Sequence, residues 1–69
     1  MKIGSKIKNK NGNEYTIIDK MNNSYLLLYS GNIVEYIVAT NISIIDNTMI
    51  WDHGNYFSSL KSAIEYFYK

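Results

Sequence analysis

The spacing of apolar residues changes once along the chain, near its carboxyl end. Within residues 58–68 the apolar positions recur at intervals of three and four, which predicts an amphipathic helix of about three turns. Ser58 precedes the run and suits the N-cap, with Ser59 as a second candidate. So short a helix is not stable alone in water, so its apolar face must pack on the rest of the chain. That face consists of Leu60, Ala63, Ile64 and Phe67.

Upstream of this helix, apolar residues alternate with polar ones or form short runs, as in β-strands. Asn11-Gly12 predicts a tight hairpin turn with positive φ at both residues. Four further turns or breaks are predicted, at Met21–Ser24, Gly31-Asn32, Thr40-Asn41 and Asp46-Asn47. The predicted strands span residues 2–8, 14–19, 25–30, 33–39, 42–45 and 48–51.

Two of these strands, residues 25–30 and 33–39, are apolar on both faces. They are therefore predicted to lie centrally or under the helix, and Trp51 and Phe57 are predicted to pin the helix to the sheet. A meander of four to six such short strands usually curls, which removes most free edges. The pattern predicts a mostly β, SH3-like, partly open barrel with the helix across one end or face. The alternative is a flat antiparallel sheet with the helix on one side.

Composition narrows the class of protein. The 69 residues form one domain, 1–69, with no Cys, which excludes disulfides and thiolate metal sites and fits a reducing cytoplasm. No apolar run is long enough to span a membrane, and no signal peptide is expected. The net charge of +1 provides little attraction to nucleic acid. All cations are Lys and none is Arg, which weighs against base readout.

The chain has few residues that could carry out catalysis. His53 is the only histidine, which excludes a two-histidine metal site, and adjacent residues such as Asp52 and His53 point to opposite sides of a strand. There is no Gly-rich phosphate loop. We therefore expect a protein that is not an enzyme and needs no metal or cofactor.

A binding role is the expectation that remains. The predicted loop around Trp51, His53, Gly54 and Tyr56 combines aromatic faces, a titratable donor and a flexible glycine. Core packing with an exposed histidine explains the same residues more simply. Seven Tyr residues indicate a protein-binding or self-associating surface, so we expect a homo-oligomer, although an AT-rich genome would also encode many Tyr. Further candidates are Tyr36 on a neighbouring strand, and Lys6 and Lys8, which could meet a phosphate.

Two segments resemble known proteins. Residues 4–19, GSKIKNKNGNEYTIID, resemble the first hairpin of SH3-like barrels, and the pattern Trp51-x-x-Gly54-x-Tyr56-Phe57-x-x-Leu60-x-x-Ala63 resembles the end of small phage and prophage proteins of low-GC Gram-positive hosts. The resemblance implies a phage accessory protein in the host cytoplasm that inhibits a defence system, as anti-CRISPR proteins do. It also implies, as an alternative, a sponge for a cyclic nucleotide signal. A nucleic-acid-binding SH3-like module is a further alternative, independent of the resemblance.

The acidic content departs from that of DNA-mimicking inhibitors. Six acidic residues against seven Lys do not form a ladder that imitates phosphates. An inhibitor of this composition is expected to cover a protein surface or bind a small ligand.

Overall fold

The structure, a computed structural model, describes residues 3–31 and 33–69. Each strand within these residues pairs antiparallel with the next, and the first also pairs with the fifth, so the sheet closes into a barrel. This arrangement confirms the predicted small β-barrel with a C-terminal helix and excludes the flat sheet. The elements are β1 (Lys6–Asn9), β2 (Glu14–Met21), β3 (Ser24–Ser30), β4 (Val34–Ile45), β5 (Thr48–Phe57) and α1 (Leu60–Phe67).

The barrel closes at a parallel seam. A five-stranded meander reverses direction four times, so its first and last strands run the same way and must pair in parallel. Within the described residues, two pairs form this seam, Lys8 with Thr48 and Asn9 with Met49. The β4–β5 ladder is far longer and extends from Tyr36–Phe57 to the hairpin end. The barrel is therefore firmly paired around β3 and β4 and weakly joined at β1 and β5.

Two apolar clusters lie on opposite faces of the sheet. One fills the barrel, and the other lies outside it under α1, where Leu26 and Val38 contact Ala63 and Phe67. Because β3 and β4 contribute to both clusters, they are apolar on both faces. The buried residues of the barrel interior are Ile7, Tyr15, Ile17, Tyr25, Leu27, Ile37, Ala39 and Met49.

The alternation of inward and outward side chains along β4 shifts by one residue near Asn41. Ile37 and Ala39 point into the barrel before this residue, and Ile42 packs against the same interior cluster after it. Asn41 has a left-handed φ of 55°, which Asn adopts at lower cost than most residues. The predicted break at Thr40-Asn41 is therefore a kink within one strand.

Several predicted boundaries were wrong in detail. Residues 33–39 and 42–45 form the single strand β4, and the strand predicted at 48–51 continues to Phe57. The first strand begins at Lys6 rather than residue 2, and residues 1–2 and 32 lie outside the described residues. Ser59, not Ser58, caps α1, because its hydroxyl accepts the Ser62 N–H at 3.1 Å.

The turns also differ from the prediction in one case. Gly12 has a φ of 87°, but Asn11 does not have a positive φ, so the β1–β2 turn is not the predicted type. The N–H of Gly12 donates to the carbonyl of Asn9 at 3.0 Å, which matches a longer loop with one left-handed residue. Both residues of Asp46-Asn47 have positive φ, 51° and 63°, as the tight two-residue hairpin requires.

Half of the predicted helix face is buried. Ala63 and Phe67 are buried against the sheet, whereas Leu60 and Ile64 are 39% and 36% exposed. Two side-chain hydrogen bonds assist the docking. The Asn55 amide donates to the Tyr66 hydroxyl at 3.1 Å, and the Tyr68 hydroxyl donates to the Asp19 carboxylate.

Candidate functional site

Trp51 lies on β5, half-buried at the edge of the barrel interior. Its indole packs against the interior cluster and meets the Tyr15 ring edge-on, with ring centroids 5.5 Å apart. It does not belong to the cluster under α1, so the prediction that Trp51 pins the helix was wrong. Phe57 does pack there, 5.5 Å from the ring of Tyr66.

A small open cleft lies beside Trp51, where β1 and β5 separate beyond the seam. It has a volume of about 160 Å³, and Trp51 and Tyr56 form its aromatic side. The turn after β1 forms the opposite side. The lining residues are Asn9, Lys10, Asn11, Met49, Ile50, Trp51 and Tyr56.

Gly54 supports this aromatic side from a strand, not from the predicted loop. It lies in β5 opposite Ala39, and its φ is not left-handed. A Cβ atom at this position would lie 2.8 Å from the Trp51 Nε1 and 3.0 Å from the Tyr56 hydroxyl oxygen. The glycine therefore gives two aromatic side chains room to converge over the backbone.

Asn9 fixes the β1–β2 turn on the other side of the cleft. Its side-chain oxygen accepts the backbone N–H groups of Asn11 and Asn13, at 2.9 and 3.0 Å. Its side-chain nitrogen donates to the hydroxyl of Tyr15 at 3.3 Å. One side chain thus shapes the turn and ties it to the aromatic residues of the barrel interior.

The other predicted site residues lie away from the cleft. His53 is exposed, and its backbone carbonyl accepts the hydroxyl of Thr40 at 3.4 Å. Tyr36 packs on the outer cluster near the helix. Lys6 and Lys8 are exposed beside Thr16 and Thr48 and do not line the cleft. The predicted group therefore reduces to Trp51, Gly54 and Tyr56.

The turn residues are the part of the cleft that sequence reasoning missed. The KNKNGN stretch was recognised only as a hairpin turn, and no role in a site was predicted for Lys10. Trp51 is forty residues away, and only closure between β1 and β5 brings the two segments together. No local spacing in the sequence signals such a contact.

Tyr15 beside the cleft and Lys10 in its lining differ in charge at neutral pH. Burial raises the pKa of the Tyr15 hydroxyl above its ordinary value, so this group stays protonated at neutral pH. Lys10 is the one charged residue among the lining residues. Across residues 3–31 and 33–69, no group of three His, Asp or Glu residues is placed to hold a metal ion.

The cleft can therefore receive a small apolar or aromatic group and place Lys10 beside an acceptor.

Comparisons with family profiles, with curated proteins and with solved structures find no match to this chain. Within the part of the chain that the structure describes, no helix has the length and apolar character needed to cross a membrane.

Proposed function

We propose that this protein is a non-enzymatic binding protein that covers part of a partner protein's surface, with the cleft beside Trp51 receiving an anchoring side chain. The observation that carries the proposal is the size and lining of the cleft. Its volume of about 160 Å³ lies below the roughly 300–1,000 Å³ of most small-molecule sites, but it suits a single inserted side chain.

The surface around the cleft supports the same role. Tyr56 is 54% exposed and Ile50 is 37% exposed, so apolar area surrounds the opening. Aromatic residues of this kind are enriched at protein interfaces, where they act as anchors or form the pockets that anchors fill. Lys10 at the rim would pair with an acidic group of the partner.

The class of partner follows from the resemblance to phage accessory proteins. We infer a host defence protein in the bacterial cytoplasm, inhibited because part of its surface is covered. With a net charge of +1, the chain does not imitate DNA, so contact through apolar and aromatic side chains is the mode that its composition favours.

Capture from host lysate followed by reconstitution tests this proposal. Wild-type protein should retain one stoichiometric host protein, and calorimetry with that purified protein should give a defined affinity. Tyr56→Ser should weaken binding by about tenfold or more, because it removes an exposed aromatic contact at the cleft. His53→Ala is the matched control on the same strand and should bind as wild type.

A functional assay then addresses the defence role. Expression of the wild-type protein should restore plaque formation by a phage that the host restricts, and Tyr56→Ser should not. Failure of the wild type to bind any host protein, or equal binding by both variants, would contradict the cleft as the contact site.

Trp51 and Tyr56 beside Lys10 also support a second candidate, a sponge for a cyclic nucleotide signal. Aromatic faces stack on bases, and a Lys side chain can meet a phosphate. A cyclic dinucleotide exceeds the volume of a single cleft, so a second copy would have to complete the site. Calorimetry against a panel of cyclic mono- and dinucleotides decides this candidate, and no heat across the panel would end it.

A nucleic-acid-binding role remains the third proposal. Lys6 and Lys8 are exposed on β1, near enough in sequence to follow a phosphate backbone. This role predicts affinity for single-stranded oligonucleotides that falls steeply with salt. Absence of binding at low salt would remove it.

A further inference from the structure

The outer side of β4 at residues 41–45 has no strand partner among the described residues. The β3–β4 ladder stops at Ser24–Thr40, while residues 42–45 of β4 continue to pair with β5 on their other side. The outward edge of residues 41–45 therefore presents free backbone N–H and C=O groups. Such an edge is a template for another β-strand.

The devices that usually protect an edge are absent from this segment. Residues 41–45 read NISII, with no charged residue and no Pro, and Ile44 and Ile45 are 39% and 58% exposed. The Lys residues of β1 lie instead on a strand that is paired on both sides. The unprotected edge of β4 is also more apolar than β1.

We propose that the β4 edge at residues 41–45 pairs antiparallel with the same edge of a second copy of this chain. A two-fold axis at Ser43 would place each Ser43 opposite its equivalent and each Ile42 opposite Ile44 of the other copy. The segment is self-complementary in this register, because small polar residues meet at the centre and isoleucines meet on both sides.

Charge supports a second copy as the occupant. From Tyr36 to Ile45 no residue is charged, so like charges do not oppose each other across the axis. Asp46 at the end of the segment falls opposite Thr40 of the other copy, not opposite another acid. This edge is separate from the cleft beside Trp51, so failure of either proposal leaves the other intact.

The absence of native Cys makes a direct test available. Ser43→Cys would place two thiols across the axis, and directly opposed residues in antiparallel strands have Cα separations of about 4.5–5.5 Å, within disulfide range. Mild oxidation should give a covalent dimer. Ser30→Cys is the matched control, an exposed strand serine away from this edge, and should form no covalent dimer.

Sedimentation across micromolar to millimolar concentrations measures the association itself. Wild-type protein should dimerise with rising concentration, and Ser43→Lys should raise the dissociation constant by about fivefold or more, because two Lys then oppose each other. Ser30→Lys, folded by circular dichroism, should associate as wild type. A wild type that stays monomeric at millimolar concentration overturns the proposal, as does equal cross-linking of the two Cys variants.

Discussion

Single residues decide the shape of the cleft, and Gly54 is the clearest case. A glycine between aromatics suggests a turn, yet this one lies within a paired strand and leaves space for side chains. The space is specific, because Trp51 and Tyr56 both reach the position where a Cβ would stand. The residue therefore acts through packing and not through backbone freedom.

Gly54→Ala should destabilise the fold by about 1–3 kcal/mol, the usual range for overpacking. The added methyl would lie 2.8 Å from the Trp51 Nε1, so the indole must move and its fluorescence emission should shift. Chemical denaturation followed by Trp fluorescence measures both effects.

Gly12→Ala is the control that separates packing from backbone strain. Among the described residues beyond its two chain neighbours, no atom lies within 4 Å of the Cβ position at Gly12, but its φ of 87° disfavours Ala. This variant should lose about 1 kcal/mol of its free energy of unfolding, and the Trp fluorescence emission of its folded state should be unchanged. Native emission that is also unchanged in Gly54→Ala would contradict the packing account.

Residue types alone could identify part of the cleft. Trp51, Gly54 and Tyr56 were found from their chemistry, because aromatics near a glycine are unusual in so short a stretch. Lys10 and Asn11 were not, because their role depends on a strand pairing far along the chain. His53 was placed with the group by sequence adjacency, although its side chain is exposed elsewhere.

At the scale of elements, the helix was predictable and the faces of the strands were not. Spacing alone identified α1, since Ala63 and Phe67 lie on the buried face. The alternation of inward and outward side chains in β4 and β5 could not be followed through Asn41. The left-handed backbone at this residue reverses which side chains face the barrel interior. The same ambiguity made one kinked strand look like two.

The docking of α1 includes a contact that depends on pH. The Tyr68 hydroxyl donates to the Asp19 carboxylate, which lowers the pKa of Asp19 and raises that of Tyr68. The lowered pKa of Asp19 stabilises the fold at pH values above the ordinary carboxyl pKa. This stabilisation is lost as the pH falls through the pKa of Asp19 in the folded protein. The raised pKa of Tyr68 stabilises the fold at pH values below the ordinary phenol pKa. This stabilisation is lost as the pH rises through the pKa of Tyr68 in the folded protein.

Asp19→Asn should therefore have a lower Tm than wild type at neutral pH. This gap in Tm should close at both low and high pH. It should narrow below about pH 4 and again above about pH 10. Thermal unfolding across this range measures the gap. Tyr66→Phe is the control, since its hydroxyl bonds the neutral Asn55 amide and its loss should be constant through the acid range. A gap for Asp19→Asn that is equally constant would contradict the assigned contact.

At the scale of the whole molecule, the fold class followed from pattern but the closure did not. Short two-sided strands indicated a curled sheet, because a flat one would leave an apolar face uncovered. The strand count remained open between four and six, and that count decides whether the closing pair is parallel. Five strands make it parallel, and among the described residues it comprises two residue pairs.

The barrel should therefore open first at its seam. β3 is paired along both sides and carries Leu26 and Leu27, which are almost completely buried. β1 is four residues long and joins β5 through two pairs, so separating them breaks few hydrogen bonds. Local opening costs less where fewer bonds and apolar contacts are lost.

Amide hydrogen exchange should show this order directly. Backbone amides that donate across the β1–β5 seam should exchange at least about tenfold faster than those of Leu26 and Leu27. Low denaturant should accelerate exchange in β3, which requires global unfolding, and leave the seam nearly unaffected, because local opening exposes little surface. The burial of Ile7 and Met49 opposes this result, since both side chains belong to the interior cluster. Equal protection at the seam and in β3 would mean that this burial outweighs the short ladder and that the barrel opens only as a unit.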